Sequence, residues 1–197
     1  MKKTQKTTDI KKICVFCGAK SGLTPVYEEA GFRLGQLMAQ KGIELIYGAG
    51  GVGVMGAVAS GIKAGGGKVT GMTLGRLFER ERPDLADMDI DTLKVFSHLF
   101  MRKVAMTKSA DAFCILPGGF GTMDELFELL VLRQLGIIDK PIVILNINYF
   151  YDNLQALIHQ LIRDEFVSAN NVSLLGVVDK VEDILPEIER QLKEIKA

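Results

Sequence analysis

Apolar residues come in short bursts along this chain, and the spacing inside each burst indicates what it builds. "ICVFC" at residues 13–17 is an unbroken apolar run of strand length. Beyond it, Tyr27, Ala30, Leu34, Leu37 and Met38 recur at helical spacing across residues 25–40. Pro25 suits the first helical position there, with Thr24 as its N-cap. A second strand at 43–47 runs into the glycine-rich "GAGGVGVMG", followed by a helix to about residue 63 and a strand at 68–74. Residues 75–91 are charged and read as a mobile excursion over one end of the sheet. Then come a short strand at 92–96, a helix at 98–109, a strand at 112–116 and a helix at 122–135. The chain closes with a strand at 141–146, a helix at 151–164, a short strand at 177–178 and a helix at 181–195.

Strands that alternate with helices predict a parallel sheet covered on both faces. With right-handed crossovers this is an α/β fold, a Rossmann-like doubly wound sheet. All strands then end on one edge, where such folds bind ligands. The turns after Cys17, Tyr47 and Leu116 open onto that edge, so Gly18, Ala19, Gly50 and Gly51 become candidate substrate contacts beside the third turn. Residues 10–197 read as a single nucleotide-binding α/β domain, and residues 1–9, rich in Lys and Thr, as a disordered leader.

Charge narrows the partners. Twenty-four basic residues balance twenty-four acidic ones, so no global field favours nucleic acid or an anionic membrane, and any anion site must be local. No apolar run reaches the roughly 18 residues of a spanning helix, and the first twelve residues do not resemble a signal peptide. Cys14 and Cys17 form a C-x-x-C, but along a strand their side chains point to opposite faces. His98 and His159 lack metal-ligand spacing, so no metal is expected. Three packed, reduced thiols point to the cytoplasm.

The glycine turns carry the chemistry. Gly48, Gly50 and Gly53 satisfy G-x-G-x-x-G, yet the next strand, "KVTGMTL", ends without the carboxylate that a dinucleotide's ribose needs. Two readings remain: close backbone approach to a ligand, or tight strand–helix packing. "PGGFGTMDE" at 117–125 is more pointed. Pro117 stops a strand, three glycines follow, and a helix start offers free amides and a positive dipole end to a phosphate. Thr122 and Glu125 also have capping-box spacing, in which Glu125 would reach back to the Thr122 amide. A cap alone does not account for three glycines. A carboxylate beside a phosphate makes sense where positive charge develops, as it does on the sugar when an N-glycosidic bond breaks. In "HLFMRKVAM", Arg102 is the candidate to grip phosphate and hold Glu125 ionised. The plainer reading of Arg102 and Lys103 is a solvated pair on a helix surface.

"PGGFGTMDE" matches the P-G-G-x-G-T-x-x-E signature of the LOG (Lonely Guy) family, and "VFCGAKSG", "IYGAGGVGVMG", "MRKVAM" and "LRQLGIIDKPIVILN" extend the resemblance along nearly the whole chain. The resemblance implies a phosphoribohydrolase that splits AMP or an N6-modified AMP (a cytokinin nucleotide) into base and ribose 5-phosphate, without a redox cofactor. It implies Arg102 and Glu125 as the catalytic pair, with Lys103, Gly118, Gly119, Phe120, Gly121 and Thr122 contacting the nucleotide. It also implies a homodimer with sites near the interface, which suits a helix at 122–135 that is apolar nearly all round.

Three departures bear on base specificity more than on phosphate and ribose chemistry. Where the family commonly has Cys-Gly-Ser-Ser, this chain has Cys17-Gly18-Ala19-Lys20-Ser21, losing a hydroxyl and gaining a cation. Phe100-Met101 precedes Arg102 where the family tends to have His-Glu. The segment 75–91 diverges, leaving Glu79, Glu81 and Asp84 as candidates for a substrate-contacting acid. The alternative expectation is a non-catalytic carrier of a phosphorylated nucleotide or pterin, since relatives with the same signature carry molybdenum cofactor. Many family members bear a lysine decarboxylase label, but no lysine here stands out as a Schiff-base residue.

Overall fold

A computed structural model describes residues 10–75 and 89–196. Seven strands form one sheet in the order β4-β3-β2-β1-β5-β6-β7, every neighbouring pair parallel. They are β1 Lys12–Phe16, β2 Glu44–Tyr47, β3 Val69–Leu74, β4 Thr92–Phe96, β5 Ala112–Ile115, β6 Ile142–Leu145 and β7 Gly176–Val178. Among the described residues the α-helices are α1 Val26–Gln40, α2 Gly53–Ala64, α3 Leu99–Ser109, α4 Phe120–Gln134, α5 Asp152–Arg163 and α6 Ile184–Ile195. The expected excursion at 75–91 and the leader at 1–9 fall largely or wholly outside the described residues.

Because parallel strands are buried on both faces, β1 from Ile13 onward, β5 and β6 are continuous apolar runs rather than alternating ones. Their side chains feed two cores. Ile13, Val15 and Cys17 face one core with Leu34 and Met38 of α1, Val58 and Ile62 of α2, and Ile188 of α6. Cys14 and Phe16 face the other with Met106 of α3 and Leu126 and Leu129 of α4. The two cysteines of the C-x-x-C thus belong to opposite faces as free thiols, and burial pushes both pKa values well up.

Strands β1 to β4 build outward on one side and β5 to β7 on the other. The direction of winding reverses between β1 and β5, the place where doubly wound sheets leave a crevice. Two caps differ from the expected ones. Helix α1 begins one residue after Pro25, which is itself the N-cap, so Thr24 caps nothing. The last helix begins as a 3₁₀ turn, Val181–Asp183, before α6. Among the described residues no helix is long and apolar enough to cross a membrane.

Candidate active site

Three turns interlock at the crevice. The pairing of Phe16 with Ile115 brings the ends of β1 and β5 side by side. Gly18 N–H then donates to the Pro117 carbonyl at 3.0 Å, and Met55 N–H, from α2, donates to the Gly18 carbonyl at 3.1 Å. Gly53 has a φ of +63°, and a Cβ there would lie 2.7 Å from the Ala19 carbonyl oxygen and 2.6 Å from the Lys20 carbonyl carbon. A Cβ at Gly48 would lie 2.6 Å from Arg102 Nη2. The outer glycines of the G-x-G-x-x-G therefore make room for a guanidinium and for the 18–20 turn. Gly50 is buried beside the Met55 sulfur, and the Gly51 carbonyl fills the space where a side chain at Gly56 would sit.

The start of α4 differs from the expected capping box. The helix begins at Phe120, with Gly119 as N-cap and no side-chain cap bond. The glycines let the chain enter the helix two residues earlier than Thr122. Thr122 is thereby buried in the first turn, so close behind Gly118 that a Cβ at 118 would lie 2.2 Å from its Oγ1. Glu125 falls beyond the first turn and does not reach back. The first helical bond at this end runs from Met123 N–H to the Gly119 carbonyl at 3.1 Å. The amides of Phe120, Gly121 and Thr122 thus precede the helical ladder, and the positions of Gly119 and Gly121 face open space.

Helices α3 and α4 bring Arg102 and Glu125 together. Arg102 Nη1 lies 3.7 Å from Glu125 Oε1, and the two side chains are 10% and 13% exposed. Arg102 Nε donates to the Met72 carbonyl at 2.8 Å. Burial pushes the Glu125 carboxyl up from 4.5 to about 7, and the pull of Arg102 only partly opposes it. The expectation that Arg102 simply holds Glu125 ionised is corrected accordingly: desolvation wins, and the acid is poised near neutrality. Neither is Lys103 a solvated surface charge. Its ammonium lies 3.0 Å from Asp124 Oδ2 and 2.9 Å from Glu128 Oε2. Burial disfavours that charge, but the bonds to Glu128 and Asp124 prevail and raise its pKa. Lys103 is thus engaged with protein carboxylates, which sequence spacing did not reveal.

A cavity of about 260 Å³ opens at the crevice. Gly18, Ala19, Gly118 and Gly119 line it, and so do Lys20, Ser21, Tyr27, Val54 and Phe150. The rings of Tyr27 and Phe150 meet edge to face at 5.8 Å. Tyr27 and Val54 belong to the α1/α2 side of the sheet, whereas Arg102, Lys103 and Glu125 project from α3 and α4 on the other side. Cavity and acid therefore flank the 117–122 turn. Gly50 and Gly51 do not line the cavity. Lys20, Ser21, Tyr27 and Phe150 were missed from sequence, since nothing local distinguishes them, although the Ala19-Lys20 departure pointed to the place. A larger hollow of about 520 Å³, lined by Lys11, Lys41 and Glu189 among others, lies at the opposite edge and involves none of the three turns. Among the described residues no group of three or more His, Cys, Asp or Glu is placed to hold a metal ion.

The chain is similar to proteins already known. Residues 55–188 match a family model described as "Possible lysine decarboxylase". A rice protein (Oryza sativa subsp. japonica) named probable cytokinin riboside 5'-monophosphate phosphoribohydrolase LOGL2 is 34% identical over 94% of this chain and 78% of its own. Cytokinin riboside 5'-monophosphate phosphoribohydrolase LOG7 of Arabidopsis thaliana is 36% identical over 91% of this chain and 81% of its own. Among solved structures, the molybdenum cofactor binding protein of Rippkaea orientalis shares the fold with a TM-score of 0.69 at 22% identity, covering 97% of this chain and all of its own. The Chlamydomonas Moco carrier protein does so with a TM-score of 0.70 at 20% identity, covering 94% and 99%. With the signature turn, the buried acid and relatives of this similarity, the chain belongs to the LOG family.

Proposed function

We propose that this chain is an N-glycosyl hydrolase acting on a purine nucleoside 5′-monophosphate, AMP or an N6-modified AMP of the cytokinin type. The observation that carries the reading is Glu125: one buried carboxyl, poised near pH 7 and held beside Arg102, next to a glycine turn with unladdered amides. The names of the LOG relatives support the same substrate class. As the bond from C1′ to the base nitrogen breaks, its electron pair leaves with the base and C1′ becomes cationic. Ionised Glu125 stabilises that cation and accepts a proton from the attacking water, whose oxygen completes ribose 5-phosphate. The proton lost by water balances the one the base acquires. Arg102 orients the acid, and the amides at 120–122 face the phosphate.

Two copies of the chain complete this reading. Phe127 and Val131 of α4 and Leu135 at its C-cap recur every fourth residue and are exposed, as are Leu99, Phe100 and Met101 at the start of α3. An apolar surface of this kind marks an interaction site, which supports a homodimer. The free buried thiols support a reducing, cytoplasmic setting. Incubation with AMP and with N6-isopentenyl-AMP, followed by chromatography of free base, tests the proposal. Base release that Glu125→Gln abolishes supports hydrolysis. Tight nucleotide retention without base release favours the carrier alternative instead, and Glu125→Gln as fast as wild type reduces Glu125 to a helix residue.

A further inference from the structure

We infer that Lys20 is the cation that anchors the substrate's phosphate at the crevice cavity, and that it thereby selects 5′-monophosphates over nucleosides. The inference rests on the proposed function and adds a specificity-determining residue to it.

On the acid's side of the turn the charges are already paired. Arg102 and Lys103 are ringed there by Asp124, Glu125 and Glu128. Arg102 also spends its Nε on the Met72 carbonyl, and its Nη2 packs against Gly48. Two engaged cations among three carboxyl groups offer a phosphate dianion little net attraction. On the cavity side the balance reverses. Lys20 lines the cavity and, among the described residues, has no carboxylate within ion-pair distance.

Position matters as much as charge. Lys20 belongs to a loop held on two sides: Gly53 packs against the Ala19–Lys20 backbone, and Gly18 is bonded to both Pro117 and Met55. Its backbone is therefore placed before any ligand arrives. The same cavity is lined by Ser21, a hydroxyl donor, and by Gly119, the N-cap behind which the α4 amides begin. Tyr27, Val54 and Phe150 line the same cavity and add an apolar wall to it. Gly118 and Gly119 of this cavity lead directly into α4, the helix that carries Glu125. A ribose 5-phosphate held by its phosphate at Lys20 would lie along this turn, with C1′ toward the acid.

The experiment is calorimetric titration of ribose 5-phosphate and of ribose into wild type, Lys20→Ala and Lys20→Arg, alongside AMP kinetics. Because Lys20 is exposed, neither substitution should disturb folding, which melting curves check. Lys20→Ala should bind ribose 5-phosphate at least about tenfold more weakly, the scale of one charge-assisted hydrogen bond. Lys20→Arg should recover most of that affinity. The KM for AMP should rise in parallel while kcat stays within about twofold, as for a lost contact made equally in ground and transition states. Equal binding of ribose 5-phosphate to Lys20→Ala and wild type, or no binding to wild type, overturns the inference. Were wild type to bind ribose 5-phosphate through Lys20 yet release no base from AMP, the proposed hydrolysis would fail and the anchoring role would stand.

Discussion

Glu125→Gln should make the protein more stable while removing its activity, and the gain should depend on pH in a definite way. Burial raises the carboxyl from 4.5 to about 7 in the native state. An unfolded chain holds the ordinary value, so across that window the native state keeps a proton the unfolded state has released. By linkage, stability falls as pH rises through this range, and the full penalty is present above about pH 7. The displacement corresponds to about 3 kcal/mol. Glutamine resembles the protonated acid in shape and charge, so the variant escapes the penalty. Urea unfolding at pH 4, 6 and 8 should show the variant and wild type nearly equal at pH 4. The variant should then gain progressively, up to about 3 kcal/mol at pH 8. A difference independent of pH, or a wild type more stable than the variant at pH 8, would refute the claim that burial dominates Arg102 at this carboxyl.

Other substitutions probe the neighbouring parts. Arg102→Ala removes the attraction that partly offsets burial, so the Glu125 titration followed by carbon NMR should move above 7; a fall would contradict the pairing. Gly118→Ala drives a methyl onto Thr122 Oγ1 and should cost about 1–3 kcal/mol in thermal or urea unfolding. Gly119→Ala meets nothing within 4 Å and should cost only the weaker N-cap, up to about 1 kcal/mol, so a loss at 119 larger than at 118 would undo the packing argument. Val131→Glu places a charge in the exposed α4 stripe; light scattering should read near twice 21.6 kDa for wild type and near that single mass for the variant.

The fold was legible because each element carries its own signal. The unbroken apolar runs of β1, β5 and β6 are what strands buried on both faces require, and their bounds shifted by only a residue or two. The three glycine turns could be assigned to one edge because a parallel sheet leaves no other arrangement. What sequence could not supply was register within the turns and contact across them. The Thr122–Glu125 spacing suits a cap, but Gly119 let the helix begin at Phe120 and turned both residues to other uses. Lys103 found its carboxylates on a different helix, 21 and 25 residues away. Tyr27 counted as one more member of an apolar stripe until the fold set it against Phe150, and the reason for Gly48 appeared only when Arg102 arrived beside it.

One measurement bears on the whole account: an experimental structure of the protein with ribose 5-phosphate bound. The account predicts a Glu125 carboxylate oxygen about 3–3.5 Å from C1′, the separation of groups poised to react, with the phosphate beside the 118–121 turn. A pentose lodged elsewhere, or Glu125 directed away from its anomeric carbon, would contradict it.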